Sequence, residues 1–389
     1  MAALVACAAL ATGADGADTI IRGFDGKPIS AARIDREATR LMSKARVQGL
    51  AMAVIDGGQV VFVRSWGRRN VEKQLPLQTD TIMYGASLTK FAFAYMVMQL
   101  VDEGTLDLDR SIADYLSRPL PEYPFYATLA GDERWRTLTP RILLSHTSGL
   151  ANFVFLEPDE KMRLHFEPGS RYAYSGEGFI LLQFVLETGL GLKVGDEMQR
   201  RVFDRFGMTR TSMMWRADFA GNLADGYGID GSSQPHDRRS RPRAAGSMDT
   251  TIADFAKFLA GFSRGDGLSI KSRAEMLKAQ VAIATPSQFP TLVEATSPAM
   301  QAIKLSAGLG VITFEGRFGP AFFKGGHNDT TGNQAICVER SRRCVLFLCN
   351  DVRAESIYQR LTAATLGDPG MPWTWEGYTP YDQAPVVVK

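Results

Sequence analysis

The chain has 389 residues, of which 45% are hydrophobic, so it is long enough to bury a large core and to form about two domains. Lysine and arginine together number 44 and aspartate and glutamate 42, so the formal net charge is only +2. No general electric field therefore favours binding to nucleic acid or to an anionic membrane surface. The one local basic cluster, residues 238–243, stands among Pro and Gly and is interpreted as a solvated loop.

The first seventeen residues, 1–17, are apolar and small before the sequence turns to Gly and Asp. They resemble the end of a secretory signal, with small residues at Ala14 and Ala17. The basic start is missing, which an upstream start codon would explain, and Cys7 would then stand in a bacterial lipoprotein site. We therefore expect a periplasmic or secreted protein, with Cys7 as a lipid anchor in the lipoprotein case. A frayed N-terminus is the alternative, and it implies a cytoplasmic protein. No later run is apolar and long enough to span a bilayer.

A helix over residues 32–47 is predicted from apolar residues at near-helical spacing: Ile34, Ala38, Leu41 and Ala45. Two β-rich runs follow, at residues 50–55 and 60–63. The glycines between them, Gly57 and Gly58, permit the positive φ of a tight hairpin.

The string YGASLTK at residues 84–90 precedes an apolar run that predicts a helix beginning near Ser87. Ser87 and Lys90 would then lie on one face of that helix. An amine in a partly desolvated site can take the proton of a hydroxyl, and the free N–H groups of a helix start suit a developing negative charge. The alternative is a serine near a helix cap with a solvated lysine. No other lysine in the chain has a serine three residues before it.

The middle of the chain carries mainly helical signals. Thr139 and Pro140 predict a helix start, with Thr as N-cap and Pro in the first turn. His146 has apolar neighbours and is interpreted as a hydrogen-bonded structural histidine rather than a chemical one. Residues 214–244 are rich in Gly, Asp, Arg and Ser, which indicates a long surface loop of the kind that often covers a site.

Two further features join the serine and lysine. Tyr174 follows a turn that leads into a short extended segment, from which a tyrosine can reach a pocket and relay a proton. The K-G-G string at residues 324–326 sits on or beside a predicted edge strand, where a cation and exposed backbone can clamp a substrate carbonyl or carboxylate. A similar string begins at Lys193, but it lies between two helical stretches, so the string at 324 is preferred.

From residue 309 onward the pattern changes to short β-rich runs, at residues 309–314, 321–324, 334–338 and 344–348. A two-residue turn within the last pair would place Cys337 opposite Cys344, where export would allow a disulfide. The turn residues are Arg and Ser, a poor choice, so a register shifted by one is the alternative. No C-x-x-C string and no His pair at ligand spacing occurs, so no metal is expected.

Together these elements predict an α+β fold, in which an antiparallel sheet is flanked by helices and interrupted by an inserted, mainly helical domain. We predict a sheet domain over residues 30–85 and 245–360, a mainly helical domain over residues 86–244, and a C-terminal tail over residues 361–389.

With S-x-x-K, the tyrosine loop and K-G-G in this order, the chain resembles the serine β-lactamases and penicillin-recognising D-alanyl-D-alanine peptidases, in particular the class C branch with its related esterases. The resemblance covers roughly residues 30–355. It implies a β-lactamase/transpeptidase-like fold and an acyl-enzyme on Ser87. It also implies that Lys90 and Tyr174 share proton transfer.

The resemblance further implies how a substrate is held. The backbone N–H groups of Ser87 and of His327, the residue after the third motif, would form an oxyanion hole. The third motif itself would contact the substrate through Lys324, Gly325 and Gly326. Neither a cofactor nor a metal is implied.

Two positions depart from the family's pattern. Gly176 stands where the family commonly has Asn, which binds the substrate's amide and helps to fix the lysine, so β-lactam hydrolysis is put in doubt more than acylation is. If the loop accepts a side chain there without strain, Gly176→Asn is expected to raise β-lactam turnover relative to ester turnover. Gly325 replaces the usual Thr and removes a hydroxyl that could hold a carboxylate.

We therefore expect a serine hydrolase that acts on a small-molecule ester, a D-amino-acid peptide or a β-lactam. An esterase or D-amino-acid peptidase with weak β-lactam turnover is the leading interpretation. The alternatives are a true class C-like β-lactamase and a penicillin-binding sensor that is acylated without turnover. An α/β-hydrolase is excluded because no G-x-S-x-G string occurs.

Overall fold

The computed structural model describes residues 20–383. The predicted signal or lipoprotein segment, with Cys7, lies outside the described residues. Within them the fold is α+β and is organised around a large antiparallel sheet, which confirms the predicted class.

The strands of the described part are β1 (Ile20–Arg22), β2 (Pro28–Ser30), β3 (Gly49–Asp56), β4 (Gln59–Asn70), β5 (Leu75–Pro76), β6 (Met83–Tyr84), β7 (Gly226–Tyr227), β8 (Ser233–Gln234), β9 (Asp249–Thr250), β10 (Val281–Ala282), β11 (Ser306–Ala307), β12 (Ile312–Gly316), β13 (Gly319–Asn328), β14 (Thr331–Val338) and β15 (Arg343–Cys349). The α-helices are α1 (Ala31–Ala45), α2 (Leu88–Asp102), α3 (Pro140–Leu144), α4 (Gly176–Gly189), α5 (Val194–Met198), α6 (Ile252–Arg264), α7 (Ile270–Leu277), α8 (Pro298–Ala302) and α9 (Glu355–Thr365). Short 3-10 turns and one π-helical segment, Gln199–Phe203, lie between them.

The main sheet has nine strands in the order β10-β11-β12-β13-β14-β15-β3-β4-β5, and each neighbouring pair is antiparallel. Its strands come from residues 49–76 and 281–349, so the whole middle of the chain intervenes between the two groups. The domain boundaries themselves stay predictions.

Each face of the sheet is covered by helices. Successive strand residues point to opposite faces, so a fully apolar strand can serve two cores at once. In β3, Ala53 faces the core shared with α2 and α6, whereas Met52 faces the core shared with α1 and α9. The amphipathic helix α1 was predicted over residues 32–47 and ends two residues earlier, at Ala45.

Helix α2 is buried on all sides because its sequence is apolar throughout. The ring of Phe91 meets the rings of Phe258 and Phe262 on α6 and of Phe322 on β13 edge-on, with centroids 4.8–5.9 Å apart. Such aromatic contacts hold the start of α2, and with it Ser87, against β13.

Several local predictions are confirmed. Gly57 and Gly58 adopt positive φ in the turn between β3 and β4. Thr139 caps α3 by accepting a hydrogen bond from the backbone N–H of Ile142. In the hairpin of β14 and β15, Cys337 lies opposite Cys344 and the two are joined by a disulfide.

Within residues 20–383, no single helix has both the length and the apolar character needed to cross a membrane. Only a bent pair, Gly176–Gly189 with Val194–Phe203, passes that test, on length and composition alone and with a break of 105°.

Candidate active site

Ser87 stands between a tight turn and helix α2. Ala86, just before it, has a φ of +46°, in the left-handed region that residues other than glycine rarely adopt and that is often found at functional turns. Ser87 is the N-cap of α2, yet its hydroxyl makes no capping hydrogen bond. The hydroxyl is instead bonded to the amine predicted from the spacing, because Lys90 Nζ lies 3.1 Å from Ser87 Oγ.

The Lys90 side chain is almost completely buried, with 1% of it exposed. Its Nζ also donates a hydrogen bond to the backbone carbonyl of Ala245 at 2.5 Å, and within the described residues it forms no ion pair with a carboxylate. Burial, with a smaller contribution from the charge of Lys324, holds the pKa of Lys90 well below its usual value. A neutral amine beside the hydroxyl is what a general base for Ser87 requires.

Tyr174 lies between the two lysines. Its ring centroid is 5.0 Å from Lys90 Nζ and 5.1 Å from Lys324 Nζ, and Lys324 Nζ donates to the phenol oxygen at 3.4 Å. Burial raises the pKa of Tyr174, and a hydrogen bond with Ser87 partly opposes that rise. The phenol is therefore kept protonated beside the serine, in a position to pass a proton on.

His146 fixes the segment that carries Tyr174. The two rings are stacked with centroids 4.3 Å apart, and His146 Nδ1 accepts a hydrogen bond from the backbone N–H of Ser175 at 3.1 Å. Burial and the nearby Lys90 charge lower the pKa of His146 well below its usual value, so the ring is neutral. The structure thus places this histidine as the packing partner of the tyrosine, in line with the structural role expected from its sequence context.

The third motif lies on β13, and the prediction that it sits on or beside an edge strand needs correction. Strand β13 is internal to the sheet, between β12 and β14. Pairing with β12 stops at Phe323, however, so residues 324–328 pair only with β14. One side of Lys324 and of the two glycines after it is therefore open to the site, although the strand as a whole is not at an edge.

Gly326 brings the backbone of β13 against the first turn of α2. A Cβ added at Gly326 would lie 2.9 Å from Ser87 N and 2.8 Å from Leu88 N, closer than real Cβ atoms come. Ser87 N has no hydrogen-bond partner among residues 20–383. His327 follows with its side chain at the cavity mouth, 38% exposed. Gly326 thus brings the backbone next to His327 close to Ser87 N, and the oxyanion role of Ser87 and His327 stays a prediction.

A buried carboxylate, Glu376, stands behind the third motif. It comes from the segment after α9, and its Oε1 accepts a hydrogen bond from Gln288 Nε2 at 2.9 Å. A Cβ at Gly325 would collide with Glu376 Oε2 and would lie 2.9 Å from Gln334 Oε1. Burial raises the pKa of Glu376 and lowers that of Lys324, while the attraction between the two opposes both shifts.

These groups open into one cavity of about 750 Å³. The helical part of the chain contributes a group of aromatic and apolar residues to its walls: Phe125, Tyr126, Phe153, Phe155, Ile180 and Phe184. Phe125 and Phe155 are 55% and 64% exposed, so the entrance is apolar as well. Arg241 and Arg243 also contribute, so part of the predicted covering loop reaches the site.

The structure changes the interpretation of Gly176, the first residue of α4. A Cβ there would lie 2.6 Å from Phe153 Cε1 and 2.8 Å from the carbonyl oxygen of Asn152, so the condition set for Gly176→Asn, room for a side chain, is not met. An amide is nonetheless at hand, because Asn152 lines the cavity and its side-chain oxygen accepts from Gly176 N at 3.0 Å. It comes from a different loop, so no motif search at residue 176 would find it.

Replacing Gly176 by alanine is expected to destabilise the protein by about 1–3 kcal/mol, since an added methyl has no free space and the backbone carbonyl of Asn152 cannot yield easily. The matched control is Gly178→Ala in the same helix, where a Cβ would meet its neighbours at an ordinary 3.5 Å. That control should be neutral or stabilising by up to about 1 kcal/mol, the helix propensity difference. Urea unfolding of both variants measures the difference, and equal stabilities would contradict the steric argument.

Sequence reasoning missed Glu376, Asn152 and Gln288. Residues 361–389 were interpreted as a tail, yet Trp373, Trp375 and Tyr378 are buried against the sheet and carry Glu376 into the site. The density of aromatic residues there was the signal for burial. The decoy Lys193 is exposed at the start of α5, away from the cavity lining.

The chain is similar to known proteins in family, in sequence and in fold. The description of the family whose model matches is Beta-lactamase, and the match covers residues 34–366. The chain is 28% identical to the lovastatin esterase of Penicillium rubens over 276 residues, which make up 59% of this chain and 67% of that protein. It is 25% identical to the D-alanyl-D-alanine-carboxypeptidase/endopeptidase AmpH of Escherichia coli K12 over 277 residues, or 67% of this chain and 68% of that protein.

A solved structure, the D-alanine carboxypeptidase AmpC of Burkholderia cenocepacia, is similar with a TM-score of 0.68. The similarity covers 86% of this chain and 98% of that chain at 17% sequence identity. At this identity the likeness bears on the fold alone.

Proposed function

Because the chain belongs to the Beta-lactamase family of serine hydrolases, we propose that it hydrolyses small neutral carboxylic esters through an acyl-enzyme on Ser87. One observation carries the proposal. Ser87 lines the cavity, and its Oγ is 3.1 Å from the buried amine of Lys90, which forms no ion pair with a carboxylate among the described residues. A hydroxyl in hydrogen-bond reach of a base whose pKa is lowered is the arrangement that nucleophilic catalysis needs.

The proposed first half-reaction forms one bond and breaks one. Ser87 Oγ attacks the ester carbonyl carbon while its proton passes to Lys90 Nζ, and the negative charge on the carbonyl oxygen is stabilised by the N–H groups of Ser87 and His327. The tetrahedral intermediate then collapses and the bond to the alcohol oxygen breaks. Tyr174 relays the proton from Lys90 to that oxygen, so the alcohol leaves neutral.

In the second half-reaction a water molecule takes the place of the alcohol. Its proton passes to the Tyr174 and Lys90 pair as its oxygen attacks the acyl carbon, and the proton returns to Ser87 Oγ as the acid is released. The enzyme ends in its starting protonation state. The same groups serve in both directions, so no further titrating residue is required.

The lining of the cavity favours an ester substrate over a peptide or a β-lactam. Its aromatic wall and apolar entrance suit an uncharged acyl or alcohol group, whose burial is favourable in proportion to apolar area. No threonine hydroxyl is present at position 325 to hold a substrate carboxylate. The name of one relative, lovastatin esterase, refers to an activity of the same kind.

We expect the wild-type protein to turn over p-nitrophenyl acetate and butyrate continuously, with kcat/KM at least about 10-fold above that for nitrocefin. The reason is that position 325 has no hydroxyl to hold the carboxylate of a β-lactam, and a site that lacks such a polar partner recognises that substrate less well. A peptide ending in D-Ala-D-Ala should be cleaved slowly or not at all. Parallel assays of the three substrates measure the ratio. Efficient hydrolysis of nitrocefin or of the peptide, with the esters ignored, would identify a β-lactamase or a peptidase. Stoichiometric labelling by penicillin without any turnover would identify a sensor.

A further inference from the structure

We propose that Glu376 makes this site reject substrates with a free carboxylate and thereby restricts it to neutral esters. The inference rests on the proposed function and goes beyond it, because it assigns the selection to one residue outside the three motifs. Glu376 is 4% exposed, lines the cavity, and lies beside Lys324 and Gly325 of the third motif.

The geometry shows why a carboxylate takes this place. At position 325 any Cβ would collide with Glu376 Oε2, so glycine is the one residue that leaves room for the acid. Oε1 is held by Gln288, whose own side-chain oxygen accepts from the hydroxyl of Tyr172 at 3.2 Å. Oε2 has no hydrogen-bond partner within residues 20–383 and is left toward Gly325 and the cavity. When Glu376 is ionised, a negatively charged oxygen thus stands where a hydroxyl would otherwise receive a substrate carboxylate.

Near Lys324 and Glu376, the described cavity lining offers a substrate carboxylate no cation that lacks a neighbouring carboxyl group. Lys324 is the only lysine of the described cavity lining, and its neighbour Glu376 is its counter-charge. When Lys324 is protonated and Glu376 is ionised, the two charges cancel. Burial lowers the pKa of Lys90, of His146 and of His327, which favours their neutral forms. A substrate carboxylate beside Ser87 would lose its hydration and gain no uncompensated partner.

The cavity has two further cations, and they are also offset. Arg241 and Arg243 line the cavity together with Glu177 and Glu187, so two cations share the lining with two carboxyl groups. Glu177 is buried, and its Oε2 has no hydrogen-bond partner within the described residues. Both parts of the cavity lining therefore contain carboxyl groups as well as cations, and removal of Glu376 leaves Lys324 without its neighbouring carboxyl group.

The test compares neutral and anionic substrates of matched shape. One pair has the charge on the acyl half: mono-p-nitrophenyl adipate and its methyl ester. The other has it on the alcohol half: 4-acetoxybenzoate and methyl 4-acetoxybenzoate. For the wild type we expect kcat/KM to favour the neutral member by about 10-fold or more in at least one pair, the size expected for like charges in a partly desolvated site.

Glu376→Gln should reduce that preference by about 10-fold, while Glu376→Asp, which keeps the charge, should retain it. The ratio of kcat/KM for the neutral and the anionic substrate, measured within one preparation, does not depend on the fraction of protein that is folded. A destabilised variant therefore still gives a valid ratio. Glu72→Gln, at an exposed turn outside the cavity lining, is the matched control and should leave the ratio unchanged.

Two outcomes overturn the inference: equal wild-type rates on both members of both pairs, or a preference that survives in Glu376→Gln. Either result leaves the proposed function standing, because the neutral esters are still hydrolysed. The proposed function fails instead if none of the four substrates is turned over while nitrocefin is. The two failures are therefore distinguishable in a single set of assays.

Discussion

Replacement of Ser87 by alanine is expected to abolish covalent labelling and to lower ester turnover on the order of 10⁶-fold, the loss seen when the nucleophile of a serine triad is removed. The reason is that Ser87 is the one serine or threonine among the described cavity residues, and its hydroxyl lies beside the buried amine of Lys90. Intact-mass analysis after treatment with a fluorophosphonate measures the labelling directly.

The matched control for this experiment is Ser170→Ala. Ser170 is exposed and lies in the turn that leads to Tyr174, and within residues 20–383 its hydroxyl donates only to the carbonyl of Glu167. It should be labelled at the wild-type rate. If Ser87→Ala is labelled as well as the control, the nucleophile has been assigned to the wrong residue. A folded Ser87→Ala variant, verified by circular dichroism, separates lost chemistry from lost structure.

The fold was predictable where the sequence pattern is local. The apolar run after Lys90 predicted α2, and glycines predicted the turn between β3 and β4. Strand lengths were less accessible, because the run expected at residues 60–63 belongs to β4, which extends to Asn70. Its second half is polar and gives no alternating signal, while the ladder to β3 is made by backbone groups that every residue has.

The residues of the candidate site also fall into those that a local sequence pattern predicts and those that it does not. Ser87 and Lys90 are three residues apart, so one helical turn sets their distance and the spacing alone indicated it. Tyr174 and Lys324 could be predicted as site residues only from the order of the three motifs along the chain. Glu376 meets Gly325 across about fifty residues of chain, through tertiary packing that no local pattern encodes.

The structure changes which glycine matters most for specificity: Gly325 becomes more important than Gly176. From sequence, Gly176 was the stronger reason to doubt β-lactam hydrolysis, since an amide side chain is missing there. The structure brings the amide of Asn152 beside that position, which weakens this reason. Gly325 becomes the stronger reason, because Glu376 can enter the site only where residue 325 has no side chain.

Lys90→Ala and Tyr174→Phe are each expected to lower the acylation rate by about 10²–10⁴-fold, the usual contribution of a group that moves a proton in the transition state. Lys90 must be neutral to accept the serine proton. Its pKa is held well below the ordinary 10.5 by burial and by Lys324. The wild-type rate should therefore rise with pH and level off well below pH 10.5, and this limb should vanish in Lys90→Ala. Stopped-flow release of p-nitrophenol across pH measures both effects.

The two losses should not multiply. Lys90 Nζ and the ring of Tyr174 are 5.0 Å apart and both contact Ser87, so they handle one proton between them, and residues that act as a unit are far from additive. The double variant should accordingly be within about 10-fold of the slower single variant. Lys193→Ala, at the exposed decoy motif, should react like the wild type. A double variant as slow as the product of the single losses would mean that the lysine and the tyrosine serve separate steps, with the tyrosine assisting departure of the alcohol independently of how the serine is deprotonated.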